Sequence, residues 1–428
     1  MNKIELEGLN EHDYYEKIDN GLEVYILKKE DFHSSTAYFI TKYGALYNEF
    51  VPINEKEMHR FPDGIAHFLE HKLFEQKEGP SVMEKFSELG DYSNAFTNYL
   101  NTAYYFSGTE NFLESLNFLL DYVQEPYFTD ENVEKEKGII TQELLMTKDN
   151  PYRVFMFRNL KNLFVNLGYG DLVLGEKEDI ESITKEDLYR CYNTFYNPKN
   201  MTLIIVTNEN EEKVLETIKS NQSKKKFDEL EKIDVKLPKE VDNVRKEYDV
   251  FYDNVSKPEL SYSIKVNIND YHISREKLAF YLYILFVINF GKITGFGLSL
   301  KEKNMINKDI GIGSNMYNDH IILSVQTSSD NPEEIIKIIE DKLNNLQINK
   351  EDFEIVKKSY ISNFVYYFSS VSSIVNYLYN DYYDSGKINN DKFMKYKEMN
   401  YEEFSKIFKE INLNNKSILI MKPKNKEE

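Results

Sequence analysis

His67-Phe68-Leu69-Glu70-His71 sets two histidines four residues apart, with a glutamate immediately before the second. On an α-helix, positions i and i+4 lie on one face a turn apart, so both imidazoles can converge on a single ion. Glu70, three residues after His67, borders the same face and can reach a water at that ion without being a ligand. Neutral imidazole is a good zinc donor, and a catalytic zinc takes three protein ligands and leaves the fourth position for water. A third donor is therefore expected elsewhere in the chain. The pattern predicts a helix starting near Asp63, with Asp63 as N-cap, and running through His67 to about Phe74.

The stretch Glu134-Lys135-Glu136-Lys137-Gly138-Ile139-Ile140-Thr141-Gln142-Glu143 offers the third donor. Glu136 and Glu143 are seven residues apart, two turns along the same side of a helix. Glu143 is assigned as the ligand, because it sits in the more apolar part, where an ionised carboxylate is costly without a cation. Glu136 then orients a histidine or supports proton movement. Spacing alone also permits the reverse assignment. The bland alternative is a pair of surface histidines beside solvated glutamates, since charged residues mostly coat surfaces. With only 7 histidines in the chain, the five-residue pattern favours the metal. His12, His33, His59, His272 and His320 have no such spacing and read as surface or packed residues.

Composition narrows the class further. At 428 residues, with 41% hydrophobic and 14% aromatic side chains, the chain has ample material for more than one core, which excludes a disulfide-stapled miniprotein and argues against disorder. The 53 Lys and Arg against 72 Asp and Glu leave a formal charge of −19, which disfavours nucleic acid and anionic bilayers as partners. A single cysteine, Cys191, cannot close an internal disulfide and reads as a packed thiol, so a cytoplasmic location is expected. The opening residues show no secretory signal, and the apolar run from Phe280 to Phe290 is too short and too polar for a membrane span. Gly168-Tyr169-Gly170 and Gly311-Ile312-Gly313 lack the remaining glycines of a phosphate loop, which removes a nucleotide enzyme.

Strand-like segments at 21–27 and 36–41 precede the histidine helix; strands at 94–99 and 103–107, helices at 111–124, 130–148 and 185–195, and a strand at 201–206 follow it. The order returns in the second half, with strands at 260–266, 310–313 and 321–326 and a helix at 275–290. Asn200-Met201-Thr202-Leu203-Ile204-Ile205-Val206 is echoed by Asn415-Lys416-Ser417-Ile418-Leu419-Ile420-Met421. The expected fold is α+β: two homologous domains, each a mainly antiparallel sheet with helices on one face. The expected division is a zinc-binding domain at 1–220, a charged solvated linker at 221–246 and a homologous domain without the motif at 247–428.

At these residues the sequence resembles the inverzincins, the M16-type zinc metallopeptidases related to pitrilysin, insulin-degrading enzyme and mitochondrial processing peptidase. His67, Glu70, His71, Glu136 and Glu143 match the family pattern. So do the flanking Asp63-Gly64-Ile65-Ala66, Asn94-Ala95-Phe96-Thr97 with Thr102 and Tyr104, and Tyr196-Asn197-Pro198. The resemblance covers the first half by motif and the second by architecture. It implies half of a clamshell with one Zn2+ per chain, held by His67, His71 and Glu143. It implies an endopeptidase acting on short or unfolded peptides through a zinc-activated water, with Glu70 as general base and Glu136 catalytically important. Asn94, Ala95, Phe96 and Thr97 would bind the substrate backbone as an added strand.

Two departures bear on partners. The chain is half the size of the long members, and the second-half Arg and Tyr that hold substrate in that family are not evident: Lys301 stands where Arg is expected, and lysine lacks the planar bidentate fork. The resemblance therefore implies a heterodimer with a homologous zinc-less subunit that supplies them, or otherwise a homodimer. Among small bacterial zinc-bearing subunits, leader removal from ribosomally made peptides and general peptide turnover would use the same residues. The alternative from another class is a noncatalytic peptide-binding or scaffold subunit, against which Glu70 speaks, because a structural zinc has no use for a positioned base.

Overall fold

Ser35–Thr41 and Met201–Thr207 are rich in β-branched, aromatic and aliphatic residues, and the chain buries both strands along their whole length. In the computed structural model, which describes residues 1–292 and 295–424, they pair antiparallel at the centre of a seven-stranded sheet. That sheet runs Asn2–Leu6, Glu11–Lys17, Glu23–Lys28, Met201–Thr207, Ser35–Thr41, Thr102–Gly108 and Tyr92–Thr97. A single pair is parallel, Glu23–Lys28 beside Met201–Thr207.

The chain divides into two compact units, one made of Met1–Met146, Leu172–Leu237 and Val365–Lys392, the other of Thr147–Asp171, Pro238–Phe364 and Phe393–Glu428. The second unit holds a five-stranded sheet in the order Tyr248–Asp253, Lys416–Pro423, Glu259–Asn267, His320–Ser328 and Gly311–Tyr317. Its one parallel pair joins Tyr248–Asp253 to Lys416–Pro423. The last five strands of the first sheet and the five of the second therefore share one order and one pattern of directions. The echo between 200–206 and 415–421 reflects this: both segments are the closing strand, inserted beside the opening one. The first sheet adds the hairpin Asn2–Leu6 with Glu11–Lys17 at its outer edge.

Helices cover the first sheet because alternate strand residues present apolar side chains to them. Val24, Ile26, Ala37, Phe39, Leu203 and Ile205 share a core with Phe68 and Leu69 of the helix Ile65–Leu73, with Leu116 and Leu120 of Phe112–Gln124, and with Val214 and Ile218 of Glu211–Gln222. On the reverse face, the Tyr38 hydroxyl donates to Asn376 Oδ1 at 3.1 Å, and the hydroxyls of Thr202 and Tyr382 bond at 2.6 Å. Asn376 and Tyr382 belong to Val371–Ser385, which gives the central strands cover on their second face as well.

The charged stretch 221–246 is not solvated along its length. Val51 N–H donates to Asp234 O, Lys236 N–H donates to Glu49 O, and Leu230 is buried. In the second unit Glu240 accepts from the amides of Val165, Asn166 and Leu167 and pairs with the buried Lys265 at 2.8 Å. Among the described residues no helix is long and apolar enough to cross a membrane.

Candidate metal centre

The two histidines owe their placement to a backbone turn at Gly64. Its φ is +84°, and a Cβ there would meet Leu174 O at 2.0 Å, so only glycine fits between the chain and the Leu174–Gly175 segment. The helix Ile65–Leu73 starts from Gly64 as N-cap, one residue after the expected Asp63. Asp63 Oδ1 instead accepts from Asn48 Nδ2 at 2.8 Å and from Arg60. Phe68 and Leu69 turn into the core, which leaves His67, Glu70 and His71 along the rim of the buried face. Asp130–Lys148 begins at a reciprocal cap, Thr129 N–H to Asn132 Oδ1 at 2.9 Å and Asn132 N–H to Thr129 Oγ1 at 3.1 Å. Val133, Ile140 and Leu144 anchor that helix in the core, which sets Glu136 and Glu143 beside the histidines.

His67 Nε2 is 3.8 Å and His71 Nε2 3.4 Å from Glu143 Oε2, and the imidazole centroids are 4.6 Å apart. Donors about 2.1 Å from one tetrahedral ion are separated by roughly 3.4 Å, so these spacings fit a three-ligand zinc site. Among the described residues, His67, His71 and Glu143 form the one group of three such donors within 4.8 Å of each other. His71 Nδ1 faces Glu136 Oε1 at 3.0 Å, which commits the proton to Nδ1 and leaves Nε2 for a metal. His67 Nδ1 is buried without a hydrogen-bond partner.

Burial pushes the Glu70 carboxyl up to about 7, partly opposed by the Thr97 hydroxyl, which donates to Glu70 Oε2 at 2.6 Å. Burial and the neighbouring His71 hold His67 low. For His71, burial is outweighed by Glu136 and Glu143, and its imidazolium is favoured when no metal competes. Two imidazoles facing three carboxylates thus form a niche that demands a cation, whether a proton or a divalent ion.

The structure brings together His67, Glu70, His71, Glu136 and Glu143. Asn94, Ala95, Phe96 and Thr97 lie on Tyr92–Thr97, the last strand of the first sheet, which pairs with Thr102–Gly108 on one side and with no strand on the other among the described residues. Asn94 Oδ1 accepts from Ala95 N–H at 2.9 Å. Thr97 does more than sit at an edge, since it bonds Glu70. Lys301, in the second unit, pairs with Asp309 at 2.6 Å. Sequence reading passed over Lys72, which is fully buried behind Glu136; a charge flanked by His71 and Leu73 in a helix that buries Leu69 and Leu73 was the available signal.

A family model described as "Insulinase (Peptidase family M16)" matches residues 59–169, and one described as "Peptidase M16 inactive domain" matches 182–360. The Bacillus subtilis (strain 168) chain named "Uncharacterized zinc protease YmfH" is 38% identical over 378 residues, covering 87% of this chain and 88% of that one. The chain belongs to peptidase family M16. Among M16 structures, an M16-like peptidase from Alicyclobacillus acidocaldarius superposes with a TM-score of 0.89 at 28% identity, covering 97% of this chain and 99% of that one. The mitochondrial-processing peptidase subunit beta of Bos taurus is 26% identical over 161 residues, 37% of this chain and 33% of its own. The M16 segment 59–169 contains every one of the five clustered side chains, and the segment matched by the inactive-domain model contains none of them.

Proposed function

We propose that the chain is the zinc-bearing subunit of an endopeptidase that hydrolyses short or unfolded peptides. The observation that carries this is the convergence of His67 Nε2, His71 Nε2 and Glu143 Oε2, with the buried Glu70 beside them and not among them. Three donors suit a catalytic zinc, where a structural one would complete its shell with a fourth. When bound, the ion supplies Lewis acidity toward water and the scissile carbonyl. Glu70 takes a proton from the attacking water and returns it to the leaving amine, and the Thr97 hydroxyl holds Oε2 in place for both transfers. Glu136 keeps the Nδ1 proton of His71. The free edge of Tyr92–Thr97 takes the substrate backbone through main-chain hydrogen bonds, with Asn94, Ala95, Phe96 and Thr97 alongside it.

A homologous zinc-less partner completes the substrate site in this reading, supported by Lys301 in place of arginine and by the similarity to a chain named as a subunit. A cytoplasmic site of action belongs to the same reading, supported by a fold whose one cysteine, Cys191, is buried and free. Leader removal and peptide turnover both fit this chemistry. The second reading, a noncatalytic peptide-binding subunit, draws on the inactive-domain match, but that match falls outside the cluster.

Metal analysis paired with cleavage of a fluorogenic peptide tests the proposal. About one zinc per chain is expected, with Glu70→Gln keeping the metal and losing at least ~100-fold in kcat. A zinc-free wild type, or unimpaired cleavage by Glu70→Gln, overturns it. The partner is abandoned if adding the zinc-less homologue leaves the rate unchanged.

A further inference from the structure

We propose that Lys72 is a positioning residue for the metal ligands, an inference that rests on the zinc reading above. Its side chain is 0% exposed, although it directly follows His71. The ammonium donates to Asn132 O at 3.1 Å, pairs with Glu75 Oε2 and lies 4.0 Å from Glu136 Oε2. The bond to Asn132 ties the histidine helix to the first turn of the helix that carries Glu136 and Glu143, through a main-chain atom that no side-chain rotation can move. The approach to Glu136 completes a relay. Oε1 of that carboxylate faces His71 Nδ1 at 3.0 Å, while Oε2 faces the ammonium. At 4.0 Å the ammonium makes no hydrogen bond to Oε2, but its charge favours the orientation in which Oε2 faces it and Oε1 faces His71. His71 keeps Nδ1–H, and its Nε2 lone pair stays on the side of Glu143.

Stability alone is a weak reason for a charge in this position. A buried ion pair rarely outperforms well-packed apolar residues, and a lysine stem ending in methyl would fill much the same space. What an apolar side chain could not do is attract Oε2 of Glu136 and so keep Oε1 turned to His71.

The test compares wild type, Lys72→Met, Glu136→Gln and the double variant. Zinc Kd is measured by competition with a chromophoric chelator, the d–d spectrum is recorded after Co2+ substitution, and folding is followed by thermal melts in chelator. Lys72→Met is expected to weaken zinc by roughly 10–100-fold and to alter the cobalt spectrum. In the Glu136→Gln background the same change should cost under ~3-fold in zinc affinity, because Lys72 reaches the ligands through the Glu136 carboxylate, while its bond to Asn132 serves the packing of the two helices and is read in the melts. Wild-type zinc affinity in folded Lys72→Met, or equal losses in both backgrounds, overturns the inference. If Lys72→Met does not fold but the double variant does, the stranded Glu136 carboxylate is the cause and the pairing is supported. If neither folds while Glu136→Gln does, Lys72 is purely structural and the inference fails. A wild type that takes up no zinc sinks the zinc reading itself and this inference with it, whereas zinc uptake indifferent to Lys72 sinks this inference alone.

Discussion

The Thr97 hydroxyl donates to Glu70 Oε2 at 2.6 Å, joining the edge strand to the carboxylate proposed as general base. The same Oγ1 lies 3.1 Å from Thr102 Oγ1, whose own proton goes to Tyr43 O, so the single hydroxyl proton of Thr97 is left for Glu70. A hydrogen bond to a charged acceptor contributes about 1.5–3 kcal/mol. Thr97→Val is therefore expected to lower kcat by roughly 10–100-fold with zinc content unchanged, and Thr97→Ser, which keeps the hydroxyl, to restore most of it. Losing a donor to the carboxylate raises its pKa, so the acid limb of the kcat/KM profile should move to higher pH in the valine variant. Equal rates for the valine and serine variants would show that the bond does not position Glu70.

Metal removal should act on stability through binding alone, because the ligand side chains sit on helices anchored by other core residues. Val133, Ile140, Leu144, Phe68 and Leu69 hold both helices whatever occupies the niche. At free zinc 100-fold above Kd, the ion adds about 2.7 kcal/mol. Thermal melts with and without chelator should differ in wild type and coincide in His71→Ala or Glu143→Gln. A chelated wild type that loses its helical circular dichroism signal at 25 °C would instead make the zinc structural.

Much of this was legible before any coordinates. The five-residue histidine motif, the glutamate pair and the closing strands are local patterns, and a local pattern carries its own period. Arg275–Phe290 and Asp130–Lys148 fall where their sequences set them. What escaped were relations fixed by distant segments. Gly64 caps the helix in place of Asp63 because Leu174 approaches it from 110 positions along the chain, and nothing near Gly64 announces that approach. The neighbours of Lys72 hint at its burial, but its partners Asn132 and Glu136 come from a distant helix that its own sequence does not name. The hairpin Asn2–Leu6 with Glu11–Lys17 is too polar and too short in apolar alternation to declare itself, and Val371–Ser385 shows its role only once its tyrosines meet the reverse face of the sheet.

Asp13 offers a pH test independent of the metal. It is buried in Glu11–Lys17, Oδ1 has no hydrogen-bond partner, and burial pushes its carboxyl up to about 7 despite the amides of Tyr14 and Ile26. Because the folded-state value is raised, the native state prefers the protonated acid. Stability is full below the unfolded value near 4, declines as pH rises toward 7 and is lowest above it. Asp13→Asn should thus be the more stable chain at pH 8, by on the order of 1–4 kcal/mol, with the gap closing near pH 4. Urea midpoints across that range check it; a gap that does not change with pH removes Asp13 from the account.

Gly64→Ala probes whether the histidine helix needs its backbone turn. At φ +84° an L side chain is strained by about 1–2 kcal/mol, and the added Cβ would also meet Leu174 O at 2.0 Å. A Cβ on Gly175, at φ +76°, would likewise meet Asp63 O at 2.2 Å from the opposite side, so neither segment can retreat without disturbing the other. A loss of at least ~2 kcal/mol is expected, measured by denaturant unfolding. The shift should appear in zinc affinity too, because the N-terminal end of Ile65–Leu73 carries His67 only three residues beyond Gly64. His71, a turn further on and tied to Glu136, should hold its place better. A variant that loses stability while binding zinc as tightly as wild type would mean that the helix relaxes at Gly64 and leaves the ligands where they are.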